Sequence, residues 1–97
     1  MRPTRTAIMA QPNTPSGASK QFLATCTHLD PHRIELVTES RPLEGTDFLL
    51  TFVMPSEISG QPAAWVRAHC ELRYTEMMPD EMVKLTFGVT SLVSFDD

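Results

Sequence analysis

"AAWVRAHCELRYTE", Ala63 to Glu76, alternates with period two along its length. Its even positions carry Ala64, Val66, Ala68, Cys70, Leu72 and Tyr74. Its odd positions carry Trp65, Arg67, His69, Glu71 and Arg73. Successive side chains of a strand point to opposite faces, so the pattern predicts a long strand, apolar inside and mostly charged outside.

The same period recurs on both sides of it. "TAIMAQ" (Thr6–Gln11) is a short candidate strand. "QFLATCTHL" (Gln21–Leu29) puts Phe22, Ala24, Cys26 and His28 on one face. "RIELVTE" (Arg33–Glu39) sets Ile34 and Leu36 opposite Glu35 and Glu39, and "DFLLTFVM" (Asp47–Met54) aligns Phe48, Leu50, Phe52 and Met54. "MVKLTFGV" (Met82–Val89) points Val83, Leu85, Phe87 and Val89 inward and Lys84 outward. Between these lie polar loops rich in Pro, Gly and Ser, at Gln11–Lys20 and Pro55–Pro62, and a tight turn at "MMPDE", Met77–Glu81. Helical spacing is sustained nowhere, and eight prolines cut the chain into short pieces. Six short strands separated by turns predict an all-β antiparallel barrel or sandwich.

Composition bounds the function. Ninety-seven residues make a single domain, 1–97, and a chain of this size buries roughly 65% of its unfolded surface. The formal net charge of −4 offers no basic footprint for DNA or RNA. No apolar run is long enough for a membrane helix, so membrane insertion is not expected. The start, "MRPTRTAIMAQPNTP", has positive charge but no apolar segment of secretory-signal length. Two cysteines do not make a disulfide framework, and a cytoplasmic location with both thiols reduced is the expectation.

Four stretches carry a resemblance to a known family. They are "LDPHRIELVTESRPLEGTDFLLTFVMP" (Leu29–Pro55), "WVRAHCELRYTE" (Trp65–Glu76), "VKLTFGVTSL" (Val83–Leu92) and "MRPTR" at the start. Their order resembles the PilZ domain, a six-stranded antiparallel barrel of bacterial cyclic-di-GMP signalling. The resemblance implies a barrel preceded by a flexible arginine arm, residues 1–5. It also implies a ligand held by an Arg-x-x-x-Arg segment before the first strand and by an Asp/Asn-x-Ser-x-x-Gly turn after the second. Arginine suits this ligand because its planar donor fork fits a phosphate or the O6/N7 edge of guanine.

Both motifs depart from the family pattern. Arg5 matches the second motif arginine, while the first falls on Met1, with Arg2 beside it at the wrong spacing. Asp30 matches the acid of the turn, but His32 stands in place of Ser and Glu35 in place of Gly. A carboxylate at position 35 sets negative charge near a bound phosphate, and Arg33 supplies a nearby cation that partly offsets it. Arg2, Arg5, Asp30, His32 and Arg33 are therefore the candidate ligand residues. Each has an ordinary reading as well. Charged termini are usually solvated, and an Asp-Pro turn usually spends its carboxylate on local backbone.

Other chemistries are weaker. Cys26, His28, His69 and Cys70 supply four possible metal ligands, but His69 and Cys70 are adjacent and point to opposite faces, so no metal site is expected. The chain has no Gly-rich phosphate loop, no G-x-S-x-G and no H-E-x-x-H, and a cysteine on an inward face is inert. No enzyme activity and no cofactor are expected. Trp65 is an aromatic on a charged face, which suggests an interface with a folded-back arm, a second copy or a separate protein. The sequence thus predicts a non-catalytic PilZ-like signalling domain, acting as a protein-interaction adaptor with weak or absent cyclic-di-GMP binding. The alternative is a working cyclic-di-GMP receptor that uses the arginine arm and the Asp30 turn.

Overall fold

The computed structural model, which describes residues 6–43 and 45–94, is all-β. Six antiparallel strands close into a barrel: β1 (Thr6–Pro12), β2 (Phe22–Leu29), β3 (Arg33–Glu39), β4 (Asp47–Met54), β5 (Ala64–Met78) and β6 (Met82–Ser94). Their order around the barrel is β1-β2-β3-β6-β5-β4, with β4 returning to β1. Closure leaves no edge along the barrel wall. One helical turn, Ser56–Ser59, sits between β4 and β5. It ends at Gly60, whose left-handed φ of 74° suits a residue without a Cβ.

The period-two residues fill the interior as expected. Ile8, Ile34, Leu36, Leu50, Leu85 and Phe87 are fully buried, and Phe48 and Phe52 nearly so. Burying a side chain of this size contributes roughly 1.5–3 kcal/mol, and that term holds the barrel shut. Phe48 of β4 and Phe87 of β6 meet edge to face, with ring centroids 5.4 Å apart at 68°. Among the described residues Thr38 is a buried polar one, 7% exposed.

The departures from strict alternation have one cause, β-bulges. A bulge adds a residue to one strand and reverses the facing of everything beyond it. The shift between Leu72 and Tyr74 turns Tyr74 out of the interior, and it is 70% exposed rather than buried. The shift between Cys26 and His28 pairs His28 with Glu35, leaving the imidazole part-exposed instead of in line with Cys26. A third, between His69 and Cys70, sets Thr90 aside, and its hydroxyl donates to the His69 carbonyl at 2.8 Å. β6 runs on past this bulge to Ser94, beyond the Val89 end that the pattern predicted. Short helical turns at Gly17–Lys20 and Ser56–Ser59 lie inside the two stretches expected to be loops.

Candidate functional site

The β2–β3 turn is built by Asp30. Pro31 has no N–H to give, so the chain reverses around the next two amides. Asp30 Oδ1 accepts from the N–H of His32 at 2.7 Å and from that of Arg33 at 2.8 Å. The Asp30 amide donates to the Arg33 carbonyl at 3.0 Å. The other carboxylate oxygen, Oδ2, lies 2.7 Å from His28 Nε2. Hydrogen bonding from His28, and next from the His32 amide, lowers the Asp30 carboxyl to about 2. Both oxygens are therefore committed to the turn itself.

His32 is exposed, and its carbonyl accepts from the Val89 amide at 2.9 Å, which ties the turn to β6. Arg33 is exposed and stands 3.7 Å from Glu35 Oε2. Across the sheet Arg33 lies opposite Gly88, and Gly88 lies opposite Glu71. The Arg73 guanidinium covers Gly88 so closely that a Cβ at position 88 would collide with it. Gly88 is thus the gap that lets Arg73 reach in from its bulge. His32, Arg33, Arg73, Tyr74 and Lys84 line a cleft of about 340 Å³ with Glu35, Glu76 and Gly88. Its cations face acids at separations of 3.5–3.7 Å, in Arg33–Glu35, Arg73–Glu71 and Lys84–Glu76. These are longer than charge-assisted hydrogen bonds, and exposed pairs of this kind stabilise little.

Asp30, His32 and Arg33 therefore come together, with both Asp30 oxygens engaged in the turn and Arg33 beside Glu35. Arg2 and Arg5 lie outside the described residues. The sequence reading missed Arg73 and Tyr74, because the bulge that brings Tyr74 outward leaves no mark in the alternation. The available clue was Gly88, since a glycine inside a strand often marks a close approach.

Trp65 faces outward, 52% exposed, as its odd position predicts. It pairs with Val53 of β4. The next row on this outer wall runs Leu23, Met9, Thr51, Arg67, Val93 across five strands. The row after it runs Gln11, Leu49, His69, Ser91. Leu23 and Val93 are 61% and 51% exposed. Arg67 is the one Lys, Arg, Asp or Glu in these rows. The barrel therefore has two unlike sides: a charged side over β3 and β6, and a nearly neutral, apolar wall around Trp65. An exposed apolar area of this kind is characteristic of interaction surfaces.

Both cysteines point inward and are free. Desolvation raises the Cys26 thiol and pushes Cys70 up to about 12. Among the described residues no three His, Cys, Asp or Glu side chains gather as metal ligands. No helix among them is long and apolar enough to cross a membrane.

No family model and no curated protein matches this sequence. Among solved structures the barrel is similar to the styrene monooxygenase flavin reductase (SMOB) from Pseudomonas putida S12. The TM-score is 0.61 at 12% identity, over 94% of this chain and 81% of that one. At that identity the likeness speaks to the fold, an antiparallel β-barrel, and to the fold alone.

Proposed function

We propose that the chain is a non-catalytic, PilZ-like bacterial signalling domain of the cytoplasm. It works as a protein-interaction adaptor and binds cyclic-di-GMP weakly or not at all. One observation carries this reading: both Asp30 carboxylate oxygens are spent on His28, His32 and Arg33. The acid on which a ligand turn depends is a structural staple here. Glu35, where the family has Gly, adds a carboxylate beside Arg33. The adaptor face is the wall around Trp65, whose exposed aromatic and few charges suit a protein partner. Calorimetric titration with cyclic-di-GMP tests the loss of ligand, and substitution of Trp65 tests the face.

A second reading has its own support. The cleft over Gly88 presents Arg33, Arg73 and an exposed Tyr74 ring, a set that suits a phosphate beside a base. On this reading the domain is a cyclic-di-GMP receptor, and Arg73 works with Arg5 of the N-terminal arm. An Arg73→Ala variant that loses measurable nucleotide binding would favour it.

A further inference from the structure

β5 has fifteen residues and its neighbour β4 has eight. The last β4–β5 pair is Asp47 with Glu71. Beyond it the Leu72 amide donates to the Thr46 carbonyl at 2.8 Å. From Tyr74 to Met78, β5 is paired on one side by β6, and no described strand pairs with the other. Arg73 to Met77 are all exposed, with Tyr74 and Met77 each at 70%. The barrel is closed, yet among the described residues β5 carries an open edge on a projecting hairpin arm.

Open edges are usually blunted by lysine, proline or a bulge. "RYTEMM", Arg73–Met78, has no lysine and no proline, and its bulge lies at the root, before Tyr74. We propose that this edge pairs antiparallel with the same edge of a second copy of the chain, joining two β3-β6-β5 sheets into one.

Charge and register select the second copy as occupant. The whole chain carries −4, which repels another copy, but the segment balances Arg73 against Glu76. A two-fold axis perpendicular to the sheet requires a residue to face itself at the centre, because directly opposed side chains share a face. Centring on Thr75 sets Tyr74 opposite Glu76, so the exposed ring of each copy is covered by a long polar side chain of the other. Centring on Glu76 opposes two carboxylates, and like charges directly opposite are destabilising. Centring on Tyr74 sets apolar Leu72 against Glu76. The short shared edge implies a weak dimer, at the small end of interface sizes. This proposal goes beyond the adaptor reading and uses a different surface, so either can fail without the other.

The experiment is sedimentation of the native chain over a wide concentration range, beside Thr75→Lys and Thr75→Glu. The native chain is expected to dimerise as concentration rises. Each variant alone is expected to stay monomeric, with like charges at the axis, and an equimolar mixture of the two is expected to dimerise again. Thermal melting confirms that the variants fold, and concentration-dependent protection of the Arg73–Met78 amides in hydrogen exchange gives a readout that needs no mutation. A monomer at every concentration would overturn the proposal. So would variants that dimerise like the parent, a mixture that stays monomeric, or protection that appears only with another protein bound.

Discussion

Asp30 and His28 close the β2–β3 turn with a 2.7 Å contact between Oδ2 and Nε2, while Asp30 Oδ1 holds the two amides that follow Pro31. This bond makes the turn acid-sensitive. The folded-state carboxyl is lowered from 3.8 to about 2, so its contribution to stability is complete above about pH 4 and is lost as pH falls from there through about 2. The expected outcome is that Asp30→Asn, which keeps an amide-accepting oxygen but loses the charge, falls between the parent and Asp30→Ala in denaturant at neutral pH. Asp30→Ala is expected to lose about 1 kcal/mol at neutral pH, and its deficit should shrink at pH 2. A constant deficit across that range would show that the carboxylate charge has no part in the turn.

The bulge at Arg73 gives a contrast between two aromatic residues of the same hairpin. Phe87 is fully buried against Phe48, and Phe87→Ala is expected to cost about 3–5 kcal/mol. Tyr74 sits outside, and Tyr74→Ser is expected to change stability by less than about 0.5 kcal/mol. Urea midpoints of the two variants read this directly. A large loss at Tyr74 would restore the strict alternation that the sequence suggests.

Cys26 and Cys70 are expected to resist thiol reagents in the native state, since burial raises both thiols and only the thiolate attacks. Cys70, at about 12, is expected to be the slower of the two. Labelling should become fast for both in denaturant. Rapid native labelling of either would mean that the barrel opens at β2 or β5.

Trp65→Ala is expected to leave the melting temperature near that of the parent and, on the proposed adaptor reading, to weaken self-association or partner binding, read by light scattering beside thermal melting. The indole is half exposed and pairs with Val53 on the outer wall. Loss of the fold on this change would place Trp65 in the core, contrary to its position.

Much of this fold was legible in the sequence, and the reason is physical. β3 begins just after Asp30-Pro31 and β4 ends just before Pro55, because these prolines break the alternation at those borders. The inner residues of β4 needed only a period of two. His28 and Tyr74 were placed on the wrong face because a bulge costs one residue of register and is decided by the neighbouring strand, not by local composition. The site divided in the same way. Asp30 and Trp65 stood out as an acid before a proline and an aromatic on a charged strand. Arg73 did not, since its reach over Gly88 depends on a bulge in one strand and a missing side chain in another.

The central claim of the proposed reading is that the Asp30 turn supports itself rather than a ligand, and titration calorimetry with cyclic-di-GMP at moderate salt measures it most directly. The native chain should be run beside a variant carrying His32→Ser and Glu35→Gly, which restores the turn residues of the PilZ pattern. The account predicts that the native chain shows no saturable binding below the micromolar range, and that any binding gained appears in the repaired variant. A sub-micromolar dissociation constant for the native chain would contradict it.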